Sequence, residues 1–279
     1  HATKDNLDQL EGLDGTIVHQ FDQLTWEHLD FNFKNGPFAD NLELRKAFAM
    51  CVPRQHIVDS LIKDLNPEAV VANAREVLPF QQGYDDLIGE SYDGQYDEVD
   101  IEGAKAILEE QDAVGTSVRI GYNSPNPRRT DTVAAIKASC DEAGFEIEDN
   151  GTSTFFAPGG EQEKGDYEVA LFAWAASGQI ASGANIYQTQ EGGKGQQNFN
   201  GYSNPEVDEA WDRLSSTLDE EVHAEERAII EKHLWDDLHG IPLYAHPGIA
   251  ASNSNLMNVR PTSTQNQLFW NMEQWQRAE

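Results

Sequence analysis

The groups in this chain that could do covalent or metal chemistry are its carboxylates and histidines, and neither set is spaced for it. His223, His233, His239 and His246 lie late in the sequence. Their spacing, on and just after one helical stretch, turns them to different faces, and none has a neighbouring metal-ligand pattern, so no metal is expected. Carboxylate pairs such as Glu109-Glu110 fall on the solvent side of a predicted helix, where a hydrated surface explains them better than an acid/base pair. Gly192-Gly193-Lys194-Gly195 lacks the trailing Lys-Ser/Thr of a phosphate cradle and reads as a flexible loop. Neither Gly-x-Ser-x-Gly nor His-Glu-x-x-His occurs. The reading is of a protein that is not an enzyme and calls for no cofactor.

Groups suited to holding a solute are easier to find. Ligands of open α/β sheets collect beyond the carboxyl ends of strands. Trp174 closes the apolar run Tyr167–Trp174 and serves either as a flat pocket wall or as core. Phe155 and Phe156, in the loop before that run, divide evenly between pocket and core. Arg128 follows the strand carrying Tyr122 and could meet a ligand carboxylate; a solvated Arg on an acidic surface is the plainer reading. Asn198 and Asn200 could bond a ligand's backbone, though turn chemistry alone would account for them.

The elements that must position these residues alternate in type. Leu42 to Val52 reads as a helix with Leu44, Phe48 and Cys51 on one side, broken at Pro53, with a second helix from His56 to Lys63. The stretch from Asn66 to Gln95, rich in Pro, Gly, Asn and Gln with scattered aromatics, reads as a long, structured surface loop. Asp100 caps a helix carrying Ala104, Ile107 and Leu108, with Gly115 placed to end it. Val118, Ile120 and Tyr122 alternate as a strand; Pro125-Asn126-Pro127 turns the chain; Val133, Ile136 and Cys140 form a helical stripe; Gly144 closes it before the strand of Phe145 and Ile147. That is a βαβ unit, and the apolar Tyr167–Trp174 run is its central neighbour, covered on both faces. Asn204-Pro205 starts one helix, a longer one runs from Glu220 to Leu238, and Ile241–Tyr244 is a short strand before a loop-rich tail. The fold class is α/β.

Length and charge narrow the partners. The chain has 279 residues, long enough for one large core and part of a second, and 49 acidic against 19 basic residues give a formal charge of -30. A negative field of that size repels phosphate backbones, so nucleic acid is excluded as a partner. No apolar run approaches the roughly 20 residues of a membrane-spanning helix, and the first residues show no signal-peptide pattern. Cys51 and Cys140 have no paired-motif spacing and are expected to be buried free thiols, with a single bridge as the other case.

Several phrases in fixed order resemble the extracytoplasmic solute-binding proteins of ABC importers, the peptide- and nickel-binding family 5, in their C-terminal half. These are Phe31-Asn32 with Pro37-Phe38-Ala39-Asp40-Asn41, Leu44-Arg45-Lys46-Ala47-Phe48 and Pro53-Arg54; Ala104-Lys105-Ala106-Ile107-Leu108; Tyr122-Asn123 with Arg128-Arg129; Gly165-Asp166-Tyr167 through Trp174; Asn198 to Asp208; and Ile241-Pro242-Leu243-Tyr244. The resemblance implies a type II periplasmic-binding-protein lobe with a mixed sheet and flanking helices. Residues 1–30 would end a first lobe and cross between lobes, 31–241 would form the second lobe, and 242–279 would return to complete the first, whose N-terminal part is missing from this chain. It implies capture of a peptide or similar polar solute by hinge closure, delivery to a membrane permease, and a place outside the cytoplasm, periplasmic or lipid-anchored. A nickel chelate or a glycoside is the alternative solute, and an α/β-lobe enzyme the alternative class. In peptide binders of the family an aspartate three residues after the strand's Trp pairs with the peptide's α-amino group. Here that position is Ser177, which can hydrogen-bond but cannot neutralise a buried ammonium.

Overall fold

A computed structural model describes residues 2–175 and 181–278. Helix α1 (Lys4–Glu11), capped by Thr3, leads into β1 (Thr16–Phe31). Helices α2 (Leu42–Cys51), α3 (Arg54–Leu61), α4 (Tyr84–Ser91) and α5 (Ile101–Glu110) follow. Then come β2 (Ser117–Asn123), α6 (Pro127–Ala143), β3 (Glu146–Thr152), the single turn α7 (Glu161–Lys164) and β4 (Val169–Ala175). The last stretch holds α8 (Ala184–Tyr187), α9 (Pro205–Ser215), α10 (Glu220–Asp236) and β5 (Gly240–Asn253). A small hairpin of β6 (Leu256–Met257) with β7 (Gln276–Arg277) spans a 3-10 segment, Gln267–Gln274.

Five strands form one mixed sheet in the order β3-β2-β4-β1-β5. β2 runs parallel to β3 and β4, the βαβ unit expected, while β1 runs antiparallel to both β4 and β5. One face of the sheet packs on α2, α3, α5 and α6 through a core that includes Leu29, Phe31, Phe48, Ile120, Ile136 and Leu171. The other face carries two smaller groups, an aromatic one around Phe155, Tyr167 and Phe172, and one built by α8, α9 and α10 around Tyr187, Tyr202 and Trp211. The side chains of Asp100 and Asn204 each accept a first-turn N–H, and Gly144 ends α6 in the left-handed conformation, as the sequence suggests; Asn126, read as a turn residue, also caps α6 by accepting from Arg129 N–H.

Five expectations need correction. Cys51 and Cys140 are not free thiols but a disulfide with Cα atoms 5.0 Å apart, joining the end of α2 to α6 across the core. Helix α5 ends at Glu110, before a turn in which Asp112 has φ 51°, so Gly115 shapes the next turn rather than the helix end. The 66–95 stretch contains α4, and Ala72, Ala74, Arg75 and Leu78 within it are buried, so it is interior structure and not a surface loop. The strand at Ile241 is not short: β5 is 14 residues long and pairs with β1 from Gly240 opposite Asp30 to Asn253 opposite Thr16. β1 itself, 16 residues, has no counterpart in the sequence reading.

The pairing of β1 explains where the sheet opens. Its second half, Thr25–Phe31, lies between β4 and β5; β4 ends at Ala175 opposite Thr25. Among the described residues its first half pairs with β5 alone, Thr16–Asp22 against Pro247–Asn253, as a ribbon past the point where Thr25 pairs with Ala175 of β4. The register shifts between Asp22 and Trp26, where Leu24 donates instead to Ser263 O at 2.9 Å. The boundary proposed at residue 241 falls inside β5.

Candidate functional site

Alternation along β1 and β4 puts Trp26, His28, Phe172 and Trp174 on one face, with Trp26 opposite Trp174 and His28 opposite Phe172. Their rings form a continuous floor. His28 lies 4.4 Å from Trp26, 4.3 Å from Phe172 and 6.3 Å from Trp174, centroid to centroid. Phe199 stacks at 6.0 Å on Trp174, and Phe156 packs edge-on to Phe172 at 5.4 Å. Trp174 is half-buried, whereas Phe156 and Phe199 are 38% and 36% exposed, so the floor has an open apolar rim beside the ribbon. Trp26, His28 and Phe199 were not singled out from sequence. For Trp26 and His28 the local pattern gives no signal, since the apolar Leu29 and Phe31 fall in the other phase from Trp26.

The floor rests on a charged layer. His28 Nδ1 and Asp30 Oδ1 are 2.8 Å apart, and His239 approaches the same carboxylate at 3.8 Å. Burial alone would raise the Asp30 carboxyl, but His28, His239 and Arg75 outweigh it and hold it below the ordinary range. Burial pushes His239 down to about 4.

On the opposite face of β1, Glu27 accepts from Arg129 Nε at 2.5 Å and meets His246 Nε2 at 2.6 Å. Burial opposes its ionisation, yet His246 and Arg129 bring its carboxyl down to about 2. Beside this group Arg128 is buried, its guanidinium 6.0 Å from the Tyr244 ring. Arg128, His246, Gln23, Pro247 and Ile249 line a cavity of about 800 Å³ whose remaining wall is α1 with Ala2 and Leu13 on either side of it.

The predicted binding residues thus part company. Trp174 and Phe156 belong to the floor, and Arg128 lines the α1 cavity on the opposite face of β1. Phe155 does not: it is 0% exposed, wedged against Gly121, where any Cβ would overlap its ring, and so has no surface to offer a solute. Asn198 and Asn200 are turn-shaping rather than solute-facing. Asn198 donates to Gln188 O and Tyr202 O and accepts from the N–H groups of Gly201 and Tyr202; Asn200 donates to His239 Nε2 at 3.1 Å. Both are buried with their bonds made within the protein. Ser177 lies outside the described residues. Among those described, no cluster of three or more His, Cys, Asp or Glu could hold a metal ion, and no helix is long and apolar enough to cross a membrane.

Residues 1–197 match the bacterial extracellular solute-binding proteins, family 5, middle region. The chain belongs to this family. It is 27% identical to an uncharacterized lipoprotein of Mycobacterium tuberculosis over 84% of this chain and 40% of that protein. Among solved structures it superposes on the periplasmic EDTA-binding protein EppA with a TM-score of 0.83 at 21% identity, covering 100% of this chain and 53% of EppA. It also superposes on the oligopeptide-binding protein AppA from Bacillus subtilis, in complex with a nonapeptide, with a TM-score of 0.80 at 19% identity over 100% of this chain and 55% of AppA. The chain therefore spans about 40% of the curated relative's length and just over half of these structures. At such identities the structural likeness establishes the fold, a family 5 lobe with a mixed sheet and flanking helices.

Proposed function

We propose that this chain is one lobe of a solute-capture protein of an ABC importer, binding peptides or similar polar solutes against the aromatic floor and closing over them with a second lobe. The carrying observation is the position of that floor. Trp174, Phe156 and Phe199 present a half-open apolar surface at the carboxyl edge of β4, beside the β1/β5 ribbon. Two long strands running from the lobe are suited to a hinge, because they join the parts without fixing their angle. Residues 31–241 form the lobe in this reading. Residues 1–30 and 242–279, including the ribbon, cross to a first lobe supplied by the remainder of a longer protein.

Trp174 and Phe156 act as walls, Arg128 receives a solute carboxylate, and Ser177 contributes a hydrogen bond where a peptide's amine would otherwise find a counter-charge. The protein works outside the cytoplasm, anchored by lipid or free in a periplasm, and hands its solute to a membrane permease. The Cys51–Cys140 disulfide is in keeping with an oxidising compartment.

Native mass spectrometry of the full-length protein, followed by thermal shifts across a peptide library, tests the reading. A co-purified peptide, or stabilisation by peptides, is expected. No bound solute and no stabilised member would refute it. A second reading, a carboxylate-rich chelate or a glycoside in place of a peptide, is favoured by one pairing of features: a buried cation at Arg128 and no carboxylate at position 177. Stabilisation by such a chelate and not by peptides would decide for it.

A further inference from the structure

Where β4 stops, a second pocket opens on the far side of the strand from the floor. Ala175, the last residue of β4, follows Trp174 and so turns to the opposite face. With it, Gln23, Thr25, Ser263, Thr264, Gln265 and Gln267 line a cavity of about 250 Å³, and Gln23 is the wall this cavity shares with the one beside α1.

Irregular backbone builds the pocket. Asp22 pairs with Pro247 and Trp26 with Ala245, so Gln23, Leu24 and Thr25 stand against His246 alone, a bulge in β1. The bulge takes the Leu24 N–H out of the β1–β5 ladder, and it donates instead to Ser263 O at 2.9 Å, fastening the tail to β1. The tail then turns back, with Gln267 N–H donating to Thr264 O at 3.0 Å and Gln267 in the left-handed region at φ 46°. Holding a residue other than glycine there costs of order 1–3 kcal/mol, and strain of this kind gathers at ligand clamps.

The lining is polar and uncharged. Three carboxamides and three hydroxyls face the cavity, and among the described residues no acidic, basic or histidine side chain does. Gln23 donates to Pro247 O at 3.3 Å, while the other five polar side chains make no hydrogen bond within the described residues. Carboxamides and hydroxyls both donate and accept. Once a second lobe encloses them, they penalise two kinds of guest. A charge would lose its water without gaining a counter-ion, and a hydrocarbon would leave the polar groups unpaired. The volume suits one side chain, since pockets for whole small molecules begin at about 300 Å³.

Resting on the reading that a peptide is held at the end of β4 between two lobes, we infer that this pocket is a subsite for one neutral polar side chain of that peptide: Ser, Thr, Asn or Gln. The floor meets the peptide on one side of the strand end, and the pocket takes the side chain on the other.

The test uses the full-length protein and calorimetric titration, with penta-alanine and its single Thr, Val, Gln and Glu substitutions at each position as probes. Thr and Val share a shape, as do Gln and Glu, so each pair isolates one kind of misfit. At one peptide position wild type is expected to bind the Thr peptide about tenfold more tightly than the Val peptide, the worth of one hydrogen bond, and the Gln peptide over the Glu peptide by at least as much; elsewhere each pair should agree within about threefold. Thr264→Val/Gln265→Leu removes two of the polar groups at exposed positions and keeps the backbone bonds that shape the pocket. This variant should lose the Thr-over-Val preference, and Gln265→Leu alone should weaken it if the double variant does not fold. Peptides that bind wild type with no preferred position, or a preference kept in full by the folded variant, overturn the subsite while leaving peptide capture standing. If wild type binds none of these peptides, peptide capture fails, and the subsite with it.

Discussion

Removing the Cys51–Cys140 disulfide gives the sharpest test of how this lobe is held. The bridge closes a loop with a sequence separation of 89. In the chain-entropy treatment, a loop of that length withdraws about 15 cal/mol/K from the unfolded ensemble, ~4.6 kcal/mol at 25 °C. Unfolding entropy scales as about 2.1 cal/mol/K per residue, so for 279 residues the expected loss is ~8 °C in Tm. Both cysteines are fully buried, which makes the comparison informative if done two ways. Reduced wild type loses the cross-link and keeps its sulfurs, whereas Cys51→Ala/Cys140→Ala loses both the cross-link and some packing. Calorimetry should show the reduced protein melting ~8 °C below the oxidised one and the Ala pair lower by a further few degrees. The linked helices, α2 and α6, also pack directly on one another through the main core. If that packing already confines the unfolded chain, the reduced protein would melt within about 2 °C of the oxidised, and the reasoning from loop entropy would be refuted.

Glu27→Gln should destabilise the lobe by about 3–5 kcal/mol at neutral pH, because it leaves Arg129 buried without its counter-charge; a chemical denaturation midpoint unchanged within error would contradict this. The same carboxyl sets an acid limit. Its folded value of about 2 lies below the ordinary 4.5, so its contribution is fully present above pH 4.5 and is lost as pH falls toward 2. Glu76 works in the other sense. Burial and the nearby Glu231 raise it to about 7, so stability declines as pH rises from 4.5 through 7. Glu76→Gln is accordingly expected to raise Tm at pH 8 by ~2 °C or more and to do little at pH 5, and equal effects at the two pH values would count against the assignment. With a net charge of -30, the protein should also melt several degrees higher in 1 M KCl, where the Debye length is about 3 Å, than in 0.01 M KCl, where it is about 30 Å; a flat response would show that the repulsion is already balanced locally.

What could be read from sequence was whatever is fixed by neighbours in the chain. The caps at Asp100 and Asn204, the left-handed stop at Gly144 and the apolar centre of β4 are local chemistry, and each stands where its residues indicate. β1 and β5 were hidden because long-range pairing holds them. His19, Gln20, Asp22 and Gln23 interrupt any apolar pattern in the first half of β1, and Pro242 and Pro247 argue against a long strand in β5. Pairing across more than two hundred residues overrides both signals, and Pro247 stands where the register shifts. The disulfide was illegible for the same reason, since spacing along the chain carries no record of two helices meeting in a core. Half of the site shared this fate: Trp174 announced itself at a strand end, but His28 and Trp26 acquire meaning only through the β1–β4 register.

That register also sorts charge from solute surface. On consecutive residues of β1, Glu27 turns to Arg129 and His246 on one face while His28 turns to the aromatic floor on the other, so a slip of one residue would exchange them. The cations of this acidic protein are placed inside accordingly. Arg45, Arg54, Arg75, Arg128 and Arg129 are all buried. Arg54 donates to Tyr96 O, Tyr92 and Asp97, Arg75 to Glu231 and Gly240 O, and Arg45 to carbonyls at Phe38 and Asp237. The planar guanidinium, with its five donors, suits it to joining segments in this way, and a lysine could not make the same set of bonds. Five carboxylates, Glu27, Asp30, Glu168, Glu226 and Glu231, are buried as well, so the outer surface keeps the chain's net charge of -30. Arg128, at the edge of the α1 cavity, is then a positive point set in a negative field.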